Sequence, residues 1–229
     1  MLHKSTHHFD LVNWIIGEEP EVVNAFGSRR YYGPTREERG TRCLTCPYKS
    51  TCEFYLDINS GLMKKLYLDC EDIDGYYRDS CVFSEDIDIE DTVSVSVKYS
   101  KGAIMSYSLT AHSPLEGYRM VINGSMGRME VENLHGGRGP YRGENIQNIK
   151  LFNRKEEEIR IKIPKARGDH GGGDERIRNM LFRGYSEDPL GFIAGSKQGA
   201  DSILIGIASN YSMKEGRAIS IKELIGDMN

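Results

Sequence analysis

The sequence contains no apolar run that approaches the roughly 20 residues required by a membrane-spanning helix. Its N-terminal residues also lack the hydrophobic segment of a secretory signal peptide. Charge of one sign does not dominate, because 30 Lys and Arg are mixed with 34 Asp and Glu for a net charge of -4. We therefore expect neither a nucleic-acid-binding protein nor a membrane protein, and cytoplasmic residence is the default expectation.

Cysteines are few, but all five lie in one region of the chain. In a cytoplasmic protein they are expected to be reduced, so disulfides do not explain their clustering. Cys43, Cys46 and Cys52 are close enough in sequence for their thiolates to reach one tetrahedral ion. The fourth ligand would then be Cys70 or Cys81. Three interpretations stay open: a structural zinc site, an iron–sulfur cluster, or unligated thiols in an insert at about residues 40–85.

An alternating stretch from Thr92 to Tyr99 predicts a β-strand with one buried face, because valines occupy every second position. After a turn that contains Gly102, residues 103–111 return as its partner strand. A second hairpin is predicted from 118 to 132, around a turn at 124–127. We expect these four strands to form one antiparallel meander on which the remaining elements pack.

One face of the first hairpin carries small hydroxyl side chains, which are neither charged nor strongly apolar. They are Thr92, Ser94, Ser96, Ser106, Ser108 and Thr110. Such a face is typical of the solvent-exposed side of an antiparallel sheet. It is equally suited to self-association, since a second copy of a flat sheet can approach it across a two-fold axis. Both interpretations remain open.

The N-terminal segment predicts a helix from about His7 to Ile16, capped by Ser5 or Thr6 and ended by Gly17. Apolar residues cover most of its circumference, so we expect it to be buried on more than one side. The other predicted elements are strands at 21–26, 149–152 and 158–163, a helix capped by Asp174 that runs to about 182, and an apolar helix at 199–212.

His7 and Asp10 lie three residues apart and therefore share one face of this helix. One interpretation is a capping or core-edge histidine beside a solvated carboxylate. The other is an acid/base pair, since a proton-abstracting site requires an imidazole with a nearby carboxylate.

Five stretches, in this order, resemble the C-terminal domain of the glucose–fructose oxidoreductase / inositol dehydrogenase (Gfo/Idh/MocA) family of NAD(P)-dependent dehydrogenases. They are residues 5–11 (STHHFDL), 81–92 (CVFSEDIDIEDT), 122–127 (INGSMG), 170–174 (HGGGD) and 199–217 (GADSILIGIASNYSMKEGR). Each motif alone is weak, but the ordered set covers nearly the whole chain.

This resemblance implies an α+β fold in which helices pack on one face of a large, predominantly antiparallel sheet, as in the C-terminal domain of glyceraldehyde-3-phosphate dehydrogenase. It implies that residues 1–229 form a single substrate-binding domain that assembles into a dimer or tetramer through the sheet. A sugar or polyol would be the substrate, and NAD or NADP the cofactor of the full-length protein. The cysteine-containing insert resembles that of one subgroup of the family. This resemblance implies that the metal ligands, if a metal is bound, are Cys43, Cys46, Cys52 and Cys81.

By the same resemblance, His7 matches the catalytic base, with Asp10 beside it, and Lys4 and His170 would contact the substrate. One branch of the family cleaves glycosides with NAD, and no residue separates this chain from that branch. A third possibility from another class is a non-catalytic, metal-stabilised sheet domain that binds a protein partner.

Two departures from the family pattern affect these expectations. No glycine-rich nucleotide-binding fingerprint precedes His7, so we expect a fragment that is inactive without a nucleotide-binding half. In addition, His3 stands where many relatives carry a carboxylate four residues before the catalytic histidine. Either Met1 to His3 are an artificial boundary of an expressed fragment, or the group that orients the substrate differs.

Overall fold

The computed structural model describes residues 1–135, 145–163, 168–184 and 187–226. The chain divides into two compact units, the first formed by Met1–His112 with Phe192–Asn229 and the second by Ser113–Gly191. None of the helices in these described ranges is both long and apolar enough to cross a membrane.

The elements combine eight strands with six helices among the described residues. The strands are β1 Pro20–Ser28, β2 Thr92–Tyr99, β3 Ile104–Thr110, β4 Glu116–Gly124, β5 Gly127–His135, β6 Asn145–Asn153, β7 Glu158–Ile161 and β8 Ile219–Ser220. The helices are α1 Ser5–Ile16, α2 Gly61–Leu66, α3 Glu71–Asp74, α4 Gly173–Arg183, α5 Ser196–Glu215 and α6 Ile221–Gly226. Short 3-10 turns occur at Cys43–Thr45, Leu68–Cys70 and Asp169–Gly172.

All strand pairs are antiparallel, in two four-stranded sheets of order β3-β2-β1-β8 and β4-β5-β6-β7. The predicted α+β class and both predicted hairpins are confirmed. The continuous four-stranded meander is wrong, because β3 and β4 belong to different sheets. The connection between them contains Pro114, which has no backbone N–H to donate to a ladder, and it makes no hairpin turn.

The first sheet has one buried and one exposed face, as the alternation predicts. Val93, Val95, Val97 and Tyr99 are at most 3% exposed and pack with Phe9 of α1 and Ile205 of α5 in one apolar cluster. On the opposite face the hydroxyls are paired across the hairpin, with Ser94 facing Ser108 and Ser96 facing Ser106. These four serines are exposed.

Helix α1 differs from expectation at its N-terminus and in its burial. Ser5 lies inside the helix rather than capping it, and the N-cap residue Lys4 makes no side-chain cap. Gly17 ends the helix as predicted, in the left-handed region at φ 62, with its N–H donating to the carbonyl of Asn13 at 2.9 Å. The expected burial on more than one side is met in part, because Phe9 is fully buried, the other apolar residues of α1 are half-buried, and Trp14 is 42% exposed.

Helix α5 is joined to β1 by a buried hydroxyl. Ser212 Oγ accepts the N–H of Ala25 at 2.8 Å and donates to the carbonyl of Arg217 at 2.6 Å. A hydroxyl that both accepts and donates satisfies two backbone groups that the core would otherwise leave unpaired. The predicted helix at 199–212 is thus confirmed, and it extends over Ser196–Glu215.

The second sheet is a simple meander in which β4 and β5 meet at the tight turn Gly124–Gly127. Gly117 has φ 139, and a Cβ placed there would lie 2.2 Å from the carbonyl oxygen of Asn133. Only glycine fits this close approach of neighbouring backbones. Residues 136–144, between β5 and β6, lie outside the described residues.

Candidate functional site

The first turn of α1 presents the side chains expected to carry the chemistry. His7 is exposed, and its backbone N–H donates to the backbone carbonyl of Lys4 at 3.2 Å. Lys4 is exposed at the N-cap position, and Asp10 is half-buried one turn further along the helix. The helix therefore brings Lys4, His7 and Asp10 to one end of the first unit, where a ligand from solvent can reach the imidazole.

The neighbouring His8 is a feature that the sequence did not single out. Its Nδ1 lies 3.0 Å from the hydroxyl of Tyr107 on β3, and that hydroxyl donates to Ser5 Oγ at 3.2 Å. Burial, followed by the charge of His7, lowers the pKa of His8. Burial also raises the pKa of Tyr107, which keeps the phenol protonated. This polar contact ties α1 to the sheet and holds adjacent His7 at the surface.

In the second unit, His170 is held in an uncommon backbone conformation. Its φ is 47, and Gly171 and Gly172 follow at φ 65 and 86. His170 Nδ1 lies 2.8 Å from Asp174 Oδ1, and the imidazole is 84% exposed. The prediction that Asp174 caps the next helix is wrong, because α4 begins at Gly173 and its N-cap has no side-chain bond. The carboxylate instead orients the histidine ring. The approach of Lys4 and His170 to one substrate stays a prediction.

Four of the five cysteines line a single small cavity of about 30 Å³. They are Cys43, Cys46, Cys52 and Cys81. The fifth, Cys70, is not among the lining residues, and its Sγ donates to the carbonyl of Lys65 at 3.5 Å. Of the two candidates for the fourth position, Cys81 therefore lines the cavity and Cys70 does not, and the ligand set itself stays a prediction.

The cavity has a backbone framework built from two crossing segments. Cys43 donates its N–H to the carbonyl of Asp79 at 2.8 Å, and Cys81 donates to that of Thr41 at 2.9 Å. These bonds flank an isolated antiparallel bridge between Arg42 and Ser80. The buried carboxylate of Asp79 accepts the N–H of Leu44, inside the Cys43–Cys46 loop, at 2.8 Å.

Charged groups surround these thiols. The guanidinium of Arg36 donates to Cys52 Sγ at 3.0 Å and lies 3.6 Å above the ring of Phe83. Burial, together with the charges of Asp79, Cys52 and Cys81, raises the pKa of the Cys43 thiol. Within the described ranges, no three His, Cys, Asp or Glu side chains already stand in an arrangement that holds a metal ion. The zinc, iron–sulfur and free-thiol interpretations thus all remain predictions.

The basic, aromatic loop after β1 is organised by one carboxylate. Asp91, which is 2% exposed, accepts the backbone N–H groups of Arg30, Tyr31 and Tyr32 at 2.7–3.1 Å. Burial alone would raise the pKa of Asp91, but these hydrogen bonds and one from the Thr92 hydroxyl outweigh it and lower the pKa to about 2. The sequence alone does not indicate this contact, because the donors lie about 60 residues from Asp91.

Comparison with known proteins agrees with the fold. Residues 1–221 match the family model described as the oxidoreductase family (Gfo/Idh/MocA), C-terminal alpha/beta domain. The Bacillus subtilis (strain 168) protein named "Putative oxidoreductase YteT" is 40% identical over 248 residues, covering 100% of this chain and 57% of that protein.

Two solved structures show the same fold at low identity. The aldose-aldose oxidoreductase from Caulobacter crescentus, complexed with glycerol, matches with a TM-score of 0.53 and 14% identity, covering 94% of this chain and 45% of its own. An oxidoreductase from Agrobacterium radiobacter, in complex with NAD+, L-tartaric acid and magnesium, matches with a TM-score of 0.52 and 10% identity, covering 96% and 48%. The chain thus spans about half the length of the relatives it matches.

Proposed function

This chain belongs to the Gfo/Idh/MocA oxidoreductase family through its C-terminal alpha/beta domain, and we propose that it forms the substrate-binding and oligomerising part of an NAD(P)-dependent oxidoreductase that acts on a sugar or polyol hydroxyl. The observation that supports this proposal most directly is the exposed imidazole of His7 at the start of α1. A catalytic base must be reachable by its substrate.

In this proposal His7 takes the proton from the substrate hydroxyl, because an imidazole within hydrogen-bond reach of a hydroxyl can act as its general base. Asp10, three residues further along the helix, orients the ring. Lys4 and His170 donate hydrogen bonds to neighbouring hydroxyls of the substrate. The nicotinamide, when bound, accepts the hydride. We propose that its site lies outside these 229 residues, which cover 57% of the Bacillus subtilis relative.

Binding can be measured without turnover. We expect a panel of sugars and polyols, titrated into the 15N-labelled chain, to include a ligand that shifts the resonances of Lys4 and His7. His7→Asn and Lys4→Met should each weaken binding of that ligand. Lys65→Met, an exposed lysine in the cysteine-containing segment, should leave it unchanged. The proposal is contradicted if no sugar or polyol binds saturably, or if neither α1 variant changes the affinity for the ligand that does.

Catalysis supplies a second test. Steady-state assays of this chain with NAD or NADP and the same panel should stay at baseline. Robust turnover by the chain alone would show that the cofactor site has been placed wrongly. Release of nitrophenol from nitrophenyl glycosides by a protein that also carries the nucleotide-binding half would favour glycoside cleavage over net oxidation.

We further propose that the exposed hydroxyl face of the first sheet is the self-association surface. Ser94, Ser96, Ser106 and Ser108 make it flat and free of charge at its centre, so an isologous pairing buries no unpaired charge. Ser96→Glu should convert a dimer to a monomer in sedimentation equilibrium. Ser60→Glu, another exposed serine, should not. A wild-type chain that is monomeric at high concentration refutes this surface.

A further inference from the structure

The segment between residues 40 and 85 has only a small apolar core, in which Phe54 packs edge-on against Phe83 with 5.3 Å between the ring centroids. Its buried hydrophobic residues are Ile58 and Phe83, and neither belongs to the apolar cluster beneath the first sheet. Small units with too little apolar burial usually require a disulfide or a metal ion to remain folded. All five cysteines are free thiols, so disulfides do not supply that stabilisation here.

The thiols of this segment converge from three separate stretches of chain. Cys43 and Cys46 come from the two ends of one tight turn, in which Cys46 donates its N–H to the carbonyl of Cys43 at 3.2 Å. Cys52 follows a second turn, with its N–H bonded to the carbonyl of Tyr48 at 3.1 Å. Cys81 arrives from the far side of the bridge with residue 42. A single ion bound among them would therefore cross-link the whole segment.

A cationic side chain in a fixed position donates a hydrogen bond to one of the four sulfurs. Arg36 directs an N–H at Cys52 Sγ at 3.0 Å, and its guanidinium is stacked on Phe83, which fixes its position. Four thiolates around one divalent cation carry net negative charge, and an N–H to sulfur disperses part of it. Arg42 is committed elsewhere, because it pairs with Asp79 and Glu71.

We propose that Cys43, Cys46, Cys52 and Cys81 bind one zinc ion that holds this segment together, with Arg36 as the second-sphere donor to Cys52. Four cysteine thiolates are a common ligand set of closed, tetrahedral structural zinc sites. On binding, each thiol gives its proton to solvent, and neither zinc nor sulfur changes oxidation state. The sulfurs must draw together to about 2.3 Å from the ion. This inference does not depend on the oxidoreductase proposal.

Metal content is the first test. The purified 229-residue chain should contain one zinc per molecule and no iron by elemental analysis. Cys43→Ser, Cys46→Ser, Cys52→Ser and Cys81→Ser should each lose most of it. Cys70→Ser is the matched control and should retain full zinc, since that thiol does not line the cavity. The assignment would be overturned if the wild-type protein contained no metal, or if it contained iron with acid-labile sulfide. It would also be overturned if Cys70→Ser lost as much zinc as the other variants.

A second test keeps all four ligands and so avoids variants that fail to fold. Cobalt introduced into the wild-type chain should give the intense visible bands of tetrahedral thiolate coordination. Arg36→Met should weaken zinc affinity about 10–100-fold in competition with a chelator. Arg78→Met, in the same segment but outside the cavity lining, should leave affinity unchanged. Octahedral cobalt, or equal affinity in both arginine variants, would contradict the proposed centre.

Discussion

Replacing Asp91 by asparagine probes the single carboxylate that organises the loop after β1. The carboxylate accepts the backbone N–H groups of Arg30, Tyr31 and Tyr32 from a position that is 2% exposed. Asparagine preserves the side-chain shape but turns an NH2 group toward these donors. The variant therefore removes the charge and leaves at least one buried N–H group without an acceptor.

The expected loss follows from the pKa of Asp91, which falls from an ordinary 3.8 to about 2 in the folded protein. This difference corresponds to about 2.5 kcal/mol of folding free energy when the carboxyl is ionised in both states. Because the folded pKa is lowered, the contribution is complete above pH 4 and disappears as the pH falls through about 2. At about pH 3, roughly half of it should remain.

Urea unfolding, followed by circular dichroism at about pH 7 and about pH 3, measures this directly. Asp91→Asn should be about 2.5 kcal/mol less stable than wild type near neutrality, and the difference should shrink by about half in acid. Asp88→Asn, an exposed neighbour, is the control and should change stability little at either pH. A difference under about 0.5 kcal/mol near neutrality, or one independent of pH, would refute the electrostatic reasoning.

Two further substitutions test the backbone contacts of each unit. Ser212→Ala should lower the free energy of unfolding by about 1–3 kcal/mol, since the buried N–H of Ala25 loses its acceptor; an unchanged urea midpoint would show that this N–H finds another partner. Gly117→Ala should disrupt the second sheet, because its Cβ would lie 2.2 Å from a backbone oxygen, whereas Gly124→Ala, whose nearest neighbour is at 3.9 Å, should be tolerated. The measurement is hydrogen exchange of the backbone amides in β4 and β5. Equal protection of these amides in the two variants would contradict the prediction.

The regular elements of the first unit were largely predictable from local sequence. The alternation over Thr92–Tyr99 predicted both the strand and its buried face, and Gly17 predicted where α1 ends. Capping was less predictable, since Ser5 and Asp174 are suitable cap residues but bond elsewhere. Ser5 accepts a hydrogen bond from Tyr107, which is distant in sequence, so a local pattern does not reveal it, whereas Asp174 contacts His170, four residues before it.

The contrast between Cys70 and Cys81 shows the same boundary in the candidate metal site. The sequence distance from Cys52 allows either cysteine to be a fourth ligand. It is the bridge between residues 42 and 80 that brings Cys81 to the cavity. Likewise, the partnership of His8 with Tyr107 depends on how α1 lies on β3.

Periodicity and turn chemistry act over a few residues, so amino-acid order alone specified the strand at Thr92–Tyr99, both hairpins and the C-terminal end of α1. It also specifies which residue types are available for chemistry, such as His7 and the cysteines. Contacts between distant segments depend on how those elements pack, which no short window of sequence encodes. Tertiary structure therefore decided the division into two sheets, which cysteines line one cavity, and the low pKa of Asp91.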